Sequence, residues 1–157
     1  MKEVALTGTT CQVFADVLSA LLRRDISVNA LVTDPEKVML DDTKLTVSLL
    51  DTGNKDALRE SFEGYHDVIM TFSDDQTDVS ANDFALHCYN EMVAAARQAG
   101  VSRLIVVGSE EATAYFIGDL RRQDDIDWVF ISTEGDFADR AAEEVLHPHF
   151  HKEEYMA

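Results

Sequence analysis

Val4-Ala5-Leu6-Thr7-Gly8-Thr9-Thr10-Cys11-Gln12-Val13-Phe14 is the stretch that decides the fold. Val4 to Thr7 reads as a buried strand, Gly8 closes it, and a helical period starts a few residues later. Phe14, Val17, Leu18, Leu21 and Leu22 fall at i, i+3, i+4, i+7 and i+8, the apolar stripe of a helix lying on a sheet. The alternation then repeats. Ser27 to Val32, Leu45 to Leu50, Asp67 to Phe72, Leu104 to Val107 and Trp128 to Ile131 read as strands. Helical segments separate them: Asp56 to Phe62, a long one ending at Gly100, Ala112 to Gln123, and a last one at Ala138 to Leu146. A helix between consecutive strands carries the chain back across a sheet face, so the strands run parallel. Near-continuous apolar runs such as Leu104-Ile105-Val106-Val107 suit strands covered on both faces. The expectation is an α/β fold, a doubly wound parallel sheet of about six strands in three layers. Residues 1–146 form one domain and 147–157 a polar, His-rich tail.

Composition narrows the partners. The 157 residues suffice for one domain with a real core, given 46% hydrophobic residues. Thirteen Lys and Arg against 30 Asp and Glu leave a net charge of −17, which disfavours nucleic acid and anionic lipid. No apolar run reaches the roughly 18 residues of a membrane span, and the N-terminus lacks a signal-peptide core. Cys11 and Cys88 are too few for a disulfide framework and suit a reducing, cytoplasmic setting. The expected partner is a small molecule, with a second copy or another protein as further options.

In a doubly wound sheet, ligands lie past the carboxyl ends of the strands, where strand order reverses. That places a crevice near Gly8 to Gln12, Thr33, Thr71 to Ser73, and Gly108-Ser109. At this level of detail the chain resembles the NmrA-like group of atypical short-chain dehydrogenases, which includes NAD(P)H-flavin reductase-like proteins. The resemblance runs from Lys2 to about Phe137. It is carried by Val4 to Thr10, by Ala30-Leu31-Val32-Thr33-Asp34-Pro35-Glu36-Lys37, and by Phe62-Glu63-Gly64. Ala94 to Val101 leading into Leu104 to Ser109, and Asp127-Trp128, complete the set. It implies a Rossmann fold and an NAD or NADP site formed by Gly8, Thr10, Cys11, Gln12, Thr33, Asp34, Thr71, Phe72 and Ser73.

The departures from that pattern point toward weak or lost cofactor binding. The family carries G-x-x-G-x-x-G after its first strand; here Cys11 and Phe14 replace the second and third glycines. The second lets main-chain N–H groups approach a pyrophosphate, and the third lets helix and strand pack closely. Thr33 stands where an arginine binds the 2′-phosphate of NADP. Asp34 has two readings: a ribose ligand favouring NAD, or an N-cap of a short helix with Pro35 at its first position. Ser48 takes the place of an adenine-side aspartate, and Val129 to Thr133 lacks the family's Arg and Pro. Ser109 and Tyr115 match the dehydrogenase serine and tyrosine, but Asp119 replaces the lysine of Y-x-x-x-K, so no catalytic residue is assigned. The family's C-terminal substrate-binding elements are mostly missing.

Three other groupings have a chemical and a plain reading. Cys11 at a helix N-terminus would be a stabilised thiolate, or a small residue filling a vacated glycine position; Cys88 reads as core. His147, His149 and His151 share the alternation of a metal-binding strand, with Glu153 or Glu154 adding oxygen, but the plain reading is a solvated tail. No metal is expected. Asp74, Asp75 and Asp78 read as a solvated loop before a helix capped near Ser80, and Asp124, Asp125 and Asp127 as surface. The sequence therefore leaves three functions in play. The leading one is a Rossmann nucleotide-binding protein with doubtful catalysis, acting as a sensor or partner-binding module. The others are an active NAD(P)H-dependent oxidoreductase acting on flavin or quinone, and a structural assembly subunit.

Overall fold

The computed structural model describes residues 3–8, 12–72, 79–122, 126–147 and 154–155. Strand and helix alternate as the periodicity requires: β1 Glu3–Gly8, α1 Gln12–Arg23, β2 Ser27–Val32, β3 Leu45–Leu49, α2 Lys55–Phe62 and β4 Asp67–Thr71. The chain continues through α3 Val79–Ala99, β5 Arg103–Gly108, α4 Glu110–Leu120, β6 Asp127–Ser132, α5 Phe137–Leu146 and β7 Glu154–Tyr155. All pairings are parallel, in the order β3-β2-β1-β4-β5-β6-β7. The two-residue β7, which the sequence reading treated as tail, pairs with β6 at the far edge.

Alternation along each strand feeds two cores. Val4, Leu6, Val28, Ala30, Ile69, Ile105 and Val129 face α1 and α5. Ala5, Leu31, Val68, Met70, Leu104, Val106 and Trp128 face α2, α3 and α4. Double coverage is why the central strands read as unbroken apolar runs. At the foot of β5 the core holds an ion pair, with Arg103 Nη2 2.5 Å from Glu144 Oε2 on α5. The same guanidinium donates to the Glu144 carbonyl at 3.1 Å.

Helix ends follow their chemistry. Gly100 takes φ +84°, and Val101 N–H donates to Ala96 O at 3.0 Å, closing α3 in a left-handed cap. The segment after β2 departs from expectation. Pro35–Lys37 is a single 3-10 turn, and the Asp34 side chain makes no cap hydrogen bond. The turn leaves little to cap: Pro35 has no N–H, and Lys37 N–H is already held by Asp34 O at 3.1 Å. No helix among the described residues is long and apolar enough to cross a membrane.

Candidate functional site

Strand order reverses between β1 and β4, so their carboxyl ends diverge into a crevice at Gly8 and Thr71. Gly8 has φ +127°, and a Cβ there would overlap the Thr71 carbonyl and lie 2.7 Å from both Thr71 Oγ1 and Tyr89 OH. Only glycine fits, because the end of β4 and the Tyr89 hydroxyl close directly against its Cα at the switch point. Beneath it the polar groups are tied to the ladder. Thr71 Oγ1 donates to Thr7 O at 3.3 Å, Thr7 Oγ1 donates to Leu31 O at 2.8 Å, and Tyr89 OH donates to Thr71 O.

Past the ends of β4 and β5 the floor is aromatic. Phe72 stacks on Tyr89 with centroids 3.8 Å apart and planes at 18°. Phe116 of α4 closes the cluster at 5.2 Å from Phe72 and 5.7 Å from Tyr89. Gly108 is wedged into this floor: a Cβ would stand 2.6 Å from Thr113 Cγ2 and 2.9 Å from Phe72 Cβ. Phe72 N–H donates to Val107 O at 2.9 Å, and Thr133 N–H to Gly108 O at 3.1 Å, which aligns the three strand ends. After β6, Arg140 of α5 donates to the carbonyls of Ser132 and Glu134, fixing the next turn.

The structure brings Gly8, Thr71 and Phe72 together, with Gly108 and Ser109 beside them. Ser109 sits just ahead of α4, and its carbonyl accepts from Thr113 N–H and Thr113 Oγ1. Thr33 is exposed and Asp34 half-buried at the end of β2. Gln12 opens α1 and spends its amide on Asp16 at 2.8 Å. Phe14 is 3% exposed and packs in the core on the α1 side, so its ring does not project into the crevice. Asp119 pairs with Arg122 at 3.3 Å on the surface.

Ser48 does not stand in for a carboxylate past the third strand. It lies inside β3 and donates to Asn29 Oδ1 at 2.9 Å, and Asn29 Nδ2 donates to Tyr65 OH at 2.9 Å. The carboxylate past the strand end is Asp51, which accepts from Gly53 N–H at 3.1 Å. Burial, chiefly, raises the Tyr65 pKa; the hydrogen bond from Asn29 lowers it, and the Glu3 carboxylate raises it further. Thr10, Cys11, Ser73, the acidic residues Asp74, Asp75 and Asp78, Asp124 and Asp125, and His149 and His151 lie outside the described residues, as do the side chains of Cys88 and Tyr115. His147 is exposed, 3.7 Å from Glu143. No group of three metal-ligating side chains occurs among the described residues.

Sequence reasoning missed Tyr89, Thr113, Phe116 and Asp51. The aromatic trio carried a partial signal, since Tyr89, Met92, Val93 and Ala96 share one buried helical stripe. Its proximity to Gly8 comes from tertiary packing.

A sequence profile of the NAD(P)H-binding family matches residues 8–147. No curated protein matches the chain. Among solved structures, an epimerase candidate from Bacteroides thetaiotaomicron superimposes with a TM-score of 0.82 at 22% identity, covering 99% of this chain and 95% of that one. A candidate NADH-flavin reductase from Streptococcus pneumoniae gives 0.74 at 16% identity, covering 99% and 98%. The NADPH-dependent quinone oxidoreductase of Escherichia coli, solved with NADPH, gives 0.72 at 18% identity, covering 97% of this chain and 68% of that one. The profile match, on a parallel sheet whose order reverses between β1 and β4, makes this chain a member of the NAD(P)H-binding family, as its NmrA-like sequence features imply.

Proposed function

We propose that this chain binds a nicotinamide dinucleotide, favours NAD(H) over NADP(H), and serves as a binding or sensing protein without a dedicated catalytic residue. The observation that carries the reading is the end of β2. Asp34 keeps its carboxylate out of any helix cap, available to a ribose diol, while Thr33 offers no guanidinium to a 2′-phosphate. Phe14 supports it by turning its ring into the core, away from the crevice. When bound, the dinucleotide supplies hydride chemistry. Asp34 would hold its ribose, and the Phe72–Tyr89–Phe116 cluster would give the crevice an apolar floor. Binding is weak for the family, because Cys11 replaces a glycine of the cradle. Two cysteines and the acidic surface fit a cytoplasmic protein.

The test is thermal melting with NAD+, NADH, NADP+ and NADPH in turn. A ligand at 100 times its dissociation constant adds about 2.7 kcal/mol. NAD(H) should stabilise more than NADP(H), and Asp34→Ala should cost NAD(H) about tenfold in affinity. A flat response to all four nucleotides overturns the reading. A second reading, an active reductase of flavin or quinone, draws support from the names of the Streptococcus and Escherichia structures of the same fold. Stopped-flow oxidation of NADH with a flavin or quinone acceptor separates the two.

A further inference from the structure

The short helix expected after β2 shrinks to the turn Pro35–Lys37, and Val38, Met39 and Leu40 follow it in neither helix nor strand. A turn of three residues cannot cover α1 as a full helix would. Between the two lies a groove of about 350 Å³, with Phe14, Ala15 and Leu18 on the α1 side and Val38, Met39 and Leu40 on the other. Clefts of this size take small molecules. Met39 is 88% exposed and Leu40 44%, so water meets apolar carbon along one wall. Exposed apolar side chains gathered in one place mark a binding surface. Gly8, Thr71 and Phe72 are not among the lining residues, so the groove is separate from the crevice at the strand ends.

One charged side chain joins that lining among the described residues, Lys37. Cations are scarce in this chain, 13 against 30 acids. Arg23, Arg24, Lys44, Arg59, Arg122 and Arg140 each meet a carboxylate. Lys37, exposed at the mouth of the groove, meets none among the described residues. The acids around it are placed otherwise. Asp42 accepts from Lys44 N–H at 2.8 Å and Asp16 from the Gln12 amide at 2.8 Å, while Asp34, Glu36 and Asp41 do not line the groove.

We propose that this groove binds a small amphipathic monocarboxylate, with its hydrocarbon chain against Phe14, Ala15, Leu18 and Val38 and its carboxylate on Lys37. Burial of the chain drives binding, and the lysine selects the charge. One ammonium balances one carboxylate, and a net charge of −17 disfavours a phosphate ester or other polyanion. The same charge on a second copy works against self-association through this face.

The test is a titration of the full chain with butanoate, hexanoate and octanoate, and with octanol as an uncharged counterpart, followed through isotope-labelled methionine methyl signals. The Met39 methyl should shift saturably while the buried Met70 and Met92 hold still. Affinity should rise about fourfold for each CH₂ buried, up to the length the groove accommodates. Lys37→Gln should weaken octanoate about threefold to fivefold, the modest factor of an exposed ion pair, and leave octanol unchanged. Lys55→Gln, at another exposed lysine outside the groove, should alter neither. Ala15→Phe, at an exposed position, should fill the groove and abolish binding while the free chain melts as before. The absence of a saturable Met39 shift with any of the acids overturns the proposal. So does an octanoate affinity indifferent to Lys37→Gln or to Ala15→Phe. A Met39 signal that moves with protein concentration alone, and stops doing so in Ala15→Phe, gives the groove to a second copy and overturns it too.

Discussion

β3 and β5 belong to one parallel sheet, yet they differ in every physical respect. All six residues of β5 are buried, and Arg103 at its foot is neutralised by Glu144. None of the five residues of β3 is buried, and one edge has no described partner. Burial of apolar area is the main stabilising term, so β4 to β6 hold the fold. The β2–β3 side, which contributes less, carries Asp34, where we propose that the ligand meets the protein. On that proposal stability and recognition occupy opposite sides of the sheet.

The hardest test of that division is Glu144→Gln, which removes the carboxylate charge that Arg103 Nη2 meets at 2.5 Å in the core. We expect a loss of about 3–5 kcal/mol, read as a lower urea midpoint at unchanged slope. Replacing both residues by apolar ones of similar volume should recover most of it, because the pair's desolvation cost disappears with its attraction. A loss below about 1 kcal/mol for Glu144→Gln would mean that this side of the sheet does not dominate stability.

Gly8→Ala acts on the boundary between the two regions. Its Cβ meets Thr71 and the Tyr89 hydroxyl at a φ that disfavours side chains, so the end of β1 must move. The expected cost is about 1–3 kcal/mol, accompanied by loss of nucleotide-induced stabilisation. A variant that melts lower yet binds NADH as before would show that the ligand does not approach Gly8.

The sequence makes the β4–β6 side legible because burial on both faces writes itself locally, as in Leu104-Ile105-Val106-Val107. The site is harder to read. Asp34 looks like a helix cap beside Pro35, and only the geometry reveals a 3-10 turn with almost nothing to cap. Ser48 and Asp51 differ by three residues, but whether each lies within β3 or past it depends on where pairing with Val32 ends. Tyr89 reaches Thr71 across 18 residues of sequence, a contact no periodicity encodes. Local propensity writes the frame, while long-range packing writes the floor of the crevice.

The smallest expected effect belongs to the open side itself. Tyr65 bridges β2 and β1 through Asn29 and Glu3, and burial with the nearby carboxylate raises its pKa above 10.0. The charged form is the deprotonated one, so near pH 10 the unfolded chain releases this proton before the folded chain does. The unfolded state then binds fewer protons, and stability falls as pH rises. The contribution is whole below the unfolded value and lost as pH climbs through the folded one. Melting temperature measured from pH 8 upward should therefore fall more steeply for the unsubstituted chain than for Tyr65→Phe, which has nothing to titrate. Because Tyr65 is only partly buried, the difference should be slight beside that of Glu144→Gln. Equal slopes would show that Tyr65 meets water too freely for β2 and β3 to depend on it.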